Sequence, residues 1–182
     1  MTTATGRWPA AGGLDAQADD LLVAVGLLSG AQLIGWLRRR GTGHVVDRLN
    51  NWVEPILKLE TTRPGEASRA YTAVARSELA WVYPLQAGPG GRWVPTRTSP
   101  RQPDSGGTAA APAVIAHIGA FEIRGTPQVF HQVDWPEFLL ACSSDGRFFA
   151  LTDARVCGPA TDLQIPVLAV NAPRVAALVT LD

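Results

Sequence analysis

The sequence is poor in the residues that carry most enzymatic and metal chemistry. Its 182 residues include two cysteines, Cys142 and Cys157, three histidines, His44, His117 and His131, one methionine and two tyrosines. So few cysteines exclude a disulfide framework, and two buried free thiols are expected. Cys142, Cys157 and His131 have neither the pairing nor the spacing of a zinc site, so neither a metal nor another cofactor is expected. No glycine-rich phosphate loop, GxSxG or HExxH motif occurs. No histidine lies in a motif that would bring a nucleophile, a base and an orienting group together. His117 alternates with Ile115 in an apolar run and reads as a partly buried structural histidine. The expectation is a protein that is not an enzyme and has no evident small-molecule substrate.

An excess of charge of one sign is also missing. Sixteen basic residues balance sixteen acidic ones, so nothing pulls the whole chain toward phosphate backbones or anionic lipid, and any nucleic-acid binding has to be local. Residues 1–20 lack the apolar run of a secretory signal, which leaves the cytoplasm as the default compartment. Long hydrophobic runs are scarce. One nearly uncharged stretch, residues 21–37 (LLVAVGLLSGAQLIGWL), precedes Arg38, Arg39 and Arg40. It has the pattern of a short membrane anchor with a basic stop, giving a membrane-associated subunit as one reading. The Ser29-Gly30 pair at its middle supports the other, a β-hairpin.

Glycine and proline, by contrast, are plentiful, at 18 and 14 residues. They concentrate in residues 86–112, QAGPGGRWVPTRTSPRQPDSGGTAAAP, a composition too polar and too interrupted to repay the entropy of ordering a core. This stretch reads as a linker between a first module at residues 20–85 and a second at 113–182, with a flexible segment at 1–19. The modules repeat one order of features. LIGWLRRRGTGHVV faces AFEIRGTPQVF, PILKLETT faces RFFALTDA, and TAVARSELAWVYPL faces VLAVNAPRVAALVTL. Short apolar runs at 22–28, 56–59 and 79–82, bounded by turn residues, predict strands. Asp134 with Glu137 and Pro136 predicts a helix over 135–142, ended by Ser-Ser-Asp-Gly before a strand at 148–152. The spacing of Val45, Val46, Leu49 and Trp52 predicts its counterpart. Each module then reads as strand, strand, short helix, strand, strand. The predicted fold is mainly β: two tandem small barrel-like modules related by internal duplication.

The first module resembles the Sm-like family of small β-barrels. The hairpin LLSGAQLIGWL with Gly30 and Gly35, Asp47 followed four residues later by Asn51, and ARSELAWVYP with Arg76 carry the resemblance. It implies a small barrel and an RNA-binding alternative through Asp47, Asn51 and Arg76. The second module has His131, Trp135 and Ala172 at the matching places. The pattern RLNNWVEPILKLETT also resembles short bacterial domains of unknown function.

Six tryptophans exceed what two small cores need, and tryptophan marks binding surfaces. The main expectation is a non-catalytic assembly or adaptor subunit that binds protein partners, or copies of itself, through strand edges and tryptophan patches. The candidate residues are Trp36, Arg38, Arg39, Arg40, Asn50 and Trp52 in the first module, and Trp135 and Phe138 in the second.

Overall fold

The structure, a computed structural model, describes residues 21–37, 44–52, 54–62, 69–87, 93–95, 112–128 and 134–181. In the first half β1 (Leu21–Leu27) and β2 (Gln32–Leu37) lead through helix α1 (Val45–Asn50) to β3 (Ile56–Thr62), β4 (Arg69–Ala75), a 3-10 turn at Arg76–Glu78 and β5 (Leu79–Ala87). A short strand β6 (Trp93–Pro95) follows. The second half repeats the order with β7 (Ala113–Ile118), β8 (Phe121–Pro127), α2 (Trp135–Ser144), β9 (Phe148–Gly158), β10 (Thr161–Asn171), a 3-10 turn at Ala172–Arg174 and β11 (Ala177–Leu181).

Residues 21–37 are thus a hairpin. Ser29-Gly30 turns the chain: Gly30 takes a φ of 93°, where a side chain is strained, and its N–H donates to the Leu27 carbonyl. Among the described residues no helix is long and apolar enough to cross a membrane. Both expected helices form. α1 ends at Asn50 rather than Trp52, and α2 runs two residues past the expected end, to Ser144. Asp134 stands at the N-cap of α2 but makes no side-chain capping bond there. Gly146 turns α2 into β9 at a φ of 66°. Within the stretch read as a linker, Gln86 and Ala87 continue β5, and β6 pairs with them; residues 88–92 and 96–111 lie outside the described residues.

The strands form one antiparallel sheet in the order β11-β7-β8-β9-β10-β5-β1-β2-β3-β4, with β6 beside β5. Each half therefore places its last strand beside its first, β5-β1-β2-β3-β4 and β11-β7-β8-β9-β10. The fold is mainly β as expected. The sheet is nevertheless not closed: it runs open from β11 to β4, because β10 pairs with β5 of the other half instead of returning to its own.

Two apolar cores lie along it. In the first, Val23, Val25, Leu57, Leu59 and Val82 are covered by Val45 and Leu49 of α1. In the second, Val114, Ile123, Leu151 and Val170 are covered by Phe138, Leu139 and Cys142 of α2. Full burial of each such side chain stabilises by about 1.5–3 kcal/mol. The second core also takes in Leu22, Ala24, Trp81 and Tyr83 from β1 and β5, so the halves share packing as well as a strand pair. The Trp81 ring stacks on Tyr83 at 5.5 Å and meets Phe121 edge-on at 5.5 Å. Gly26, opposite Trp81 in register, leaves the space for that indole, since a Cβ there would lie 2.1 Å from Trp81 Cε2.

The thiols of Cys142 and Cys157 are free and half-buried, not buried. Burial pushes the Cys142 thiol up, with Arg147 and Asp145 acting in opposite directions on it. His117 is exposed on β7, so the reading of a partly buried histidine does not hold; its register places it on the outer face, opposite Glu122 and Ala177.

Candidate functional site

The most elaborated polar chemistry among the described residues lies where the halves meet. The backbone ladder between them is short: Ala169 pairs with Val82, and Val170 with Trp81. Side chains extend it. The Asn50 amide donates to the Phe148 carbonyl at 2.9 Å, and its oxygen accepts the Phe148 N–H at 2.7 Å. The last residue of α1 thereby imitates a strand against the first residue of β9.

Arg76, at the start of the 3-10 turn before β5, forks across the joint. One guanidinium nitrogen donates to the Trp52 carbonyl of its own half, and the other to the Gly146 carbonyl of the opposite half at 2.8 Å. Its charged carbon lies 5.2 Å from the centre of the Phe148 ring. Burial lowers its pKa from the ordinary arginine value, and three polar or aromatic partners offset that desolvation. From β10, the buried Asn171 amide nitrogen donates to the carbonyls of Leu79, at 2.7 Å, and Arg76, at 3.2 Å. The β1–β2 hairpin also meets the second half: Ala120 N–H donates to the Leu28 carbonyl at 3.1 Å, and Gln32, at the start of β2, donates to Thr161, at the start of β10.

The structure thus collects Asn50, Trp52 and Arg76, which the sequence had placed on two different surfaces, into a single internal joint. Asp47 serves α1, accepting the His44 N–H at 3.3 Å, while Asn51 is the exposed C-cap of that helix. Trp36 is half-buried on β2, packed against the second core and opposite Glu60 in register. Phe138 is half-buried and meets Phe149 edge-on at 6.0 Å. Trp135 begins α2, and Arg38, Arg39 and Arg40 lie outside the described residues. Among the described residues no group of His, Cys, Asp and Glu is arranged to hold a metal ion.

Sequence reasoning missed Asn171. Its signal was an amide that ends an apolar strand just before Ala-Pro, a place where buried carbonyls need a donor. It also missed the exposed apolar residues of the surface, Ile56 and Tyr71 on β3 and β4, Val179 on β11 and Leu140 on α2. Two of these four, Tyr71 and Val179, stand on the two end strands of the sheet. There β4 pairs only with β3, and β11 only with β7, among the described residues. Among the described residues, each end strand thus has a second edge to which no other strand is paired, and such an edge can template strand addition.

No protein-family model, curated protein or solved structure matches the chain.

Proposed function

We propose that this protein is a non-catalytic assembly subunit that binds protein partners, or further copies of itself, through the two open strand edges. The observation that carries this reading is the coincidence of end strands that pair on one side only, among the described residues, with exposed apolar side chains: Tyr71 is 62 % and Val179 47 % exposed. Such residues on an otherwise balanced surface mark a binding site or an aggregation hazard. Natural edges are usually blunted by charge, and Tyr71 and Val179 do the opposite. In this reading the halves are tandem small barrel-like modules that arose by duplication. Support comes from the repeated element order, the repeated strand order and the two 3-10 turns at equivalent places.

The rival reading, RNA binding through Asp47, Asn51 and Arg76, draws less support. Two of its three side chains are engaged inside the chain, Asp47 in α1 and Arg76 across the joint. The test is purification of the full chain under mild conditions, with mass read by light scattering and co-purifying molecules by mass spectrometry. A multimer or a stoichiometric protein partner is expected, and Tyr71→Asp and Val179→Asp are expected to abolish it without lowering thermal stability. A lone monomer carrying RNA, bound with steep salt dependence, would replace this reading with its rival.

A further inference from the structure

The strand registers align the two halves residue by residue. Ile56 pairs with Ala75 as Phe148 pairs with Asn171, and Leu59 with Thr72 as Leu151 with Leu168. Gly26 faces Trp81 as His117 faces Ala177, and Val25 faces Val82 as Ala116 faces Leu178. β4 is therefore the counterpart of β10, and β11 the counterpart of β5. The two strands that meet at the internal joint have their counterparts exposed at opposite ends of the same sheet.

The side chains follow suit. On the β10 side Phe148 and Ala169 pack into the core of the other half, at 2 % and 0 % exposure, and Val167 on the same strand as Ala169 is 8 % exposed. Their counterparts are Ile56 on β3 and Tyr71 and Ala73 on the end strand β4, all apolar and all exposed. On the β5 side Trp81 and Tyr83 pack into the core of the second half, and their counterparts Ala177 and Val179 are again apolar and exposed. Opposite Val179 in register stands the half-buried Ile115, counterpart of the fully buried Ala24.

We infer that β4 of one chain adds to β11 of a second copy in the register of the internal joint, Ala73 opposite Leu178 and Val74 opposite Ala177. This deepens the assembly reading above and rests on it. The interface is heterologous, since each copy uses a different edge at either end, so it propagates from chain to chain until a ring closes or a filament grows. It differs from the internal joint in one respect. The counterparts of Asn50, Arg76 and Asn171 are Ser144, Ala172 and Ala75, which cannot reproduce the amide and guanidinium clamp. The contact between copies is thus apolar and unclamped. It depends on protein concentration and only weakly on salt, whereas the internal joint stays shut.

Cysteine pairing between separately purified chains tests the register. In a Cys142→Ala, Cys157→Ser background, Ala73→Cys chains are mixed with Leu178→Cys chains, and Val74→Cys with Ala177→Cys, under mild oxidation. Adjacent antiparallel pairs alternate between Cα separations of about 5.5 and 4.5 Å, both within the range a disulfide bridges, so the two mixtures together sample both pair geometries. The expected product is a covalent heterodimer in at least one mixture and none from Ala73→Cys with Thr180→Cys, two residues out of register. Equal coupling of that control, or no coupling while light scattering still reports a multimer, overturns the register but leaves the assembly reading standing. A monomer at every concentration overturns self-addition; a stoichiometric foreign protein on that monomer, released by Tyr71→Asp, would assign the edge to a different partner. A monomer without any protein partner overturns both.

Discussion

Asn50 closes both backbone groups of Phe148 with one side-chain amide, the donor at 2.9 Å and the acceptor at 2.7 Å, across 98 residues of sequence. A single residue of α1 therefore holds the start of β9 in the other half. Replacing it with alanine leaves the Phe148 N–H and carbonyl without partners in a part-buried position, a loss of about 1–3 kcal/mol. Asn50→Ala is expected to lower the denaturant midpoint by that amount and to speed hydrogen exchange at the Phe148 amide. An unchanged exchange rate would remove the clamp from the account of the joint.

Arg76 makes a second, sharper prediction. A lysine keeps the charge but cannot fork to the Trp52 and Gly146 carbonyls while lying flat over Phe148. Arg76→Lys is expected to destabilise by about 1–3 kcal/mol, close to the effect of Arg76→Ala, because the lost geometry and not the charge dominates. Equilibrium urea unfolding of both variants checks it. A lysine variant as stable as the parent would show that charge alone suffices.

Gly26→Ala is expected to be among the most disruptive single-methyl additions in the chain. The new Cβ would overlap the Trp81 indole, which has no room to move because Tyr83 stacks on it and Phe121 abuts its edge. Overpacking of this kind destabilises by roughly 1–3 kcal/mol or more. Thermal unfolding together with the near-ultraviolet circular dichroism of Trp81 reads both the loss and the displaced ring.

Burial pushes the Tyr83 hydroxyl from 10.0 up to about 12. The unfolded chain releases this proton as pH rises through its ordinary value, while the folded chain retains it to the higher one. Between those values the folded state binds more protons, so stability falls as pH increases, by roughly 2–3 kcal/mol across the window. In a Tyr71→Phe background the phenolate absorbance reports Tyr83 alone, and its rise is expected to coincide with unfolding. Free titration of a folded protein near pH 10 would contradict the buried placement.

Much of this fold was legible because strands, turns and short helices are written locally. Ser29-Gly30 and Asp145-Gly146 needed only their own φ preferences to mark two turns, and the apolar runs around Ile56 and Leu79 needed only their own composition. The candidate site was less legible. Asn50, Trp52 and Arg76 stood out as polar or aromatic residues with an unusual setting, which was informative. Their destination was not, since an arginine beside a tryptophan looks the same in sequence whether it meets a phosphate, a partner or the chain's own Gly146 carbonyl. The apolar residues of β4 and β11 look like ordinary strand residues, and only their exposure distinguishes them.

The sequence by itself determined the mainly β character, a short helix after the first two strands of each half and the recurrence of that order, while the third strand after each helix went beyond the expected two. These follow from backbone preferences and side-chain period, which act over a few residues. Tertiary structure alone decided that β10 pairs with β5, that the sheet remains open from β11 to β4, and that Asn50, Arg76 and Asn171 face inward. Backbone donors and acceptors are alike on every strand edge, so edge pairing is selected by what it buries, and here Trp81, Tyr83 and Phe148 lie buried in cores that both halves line.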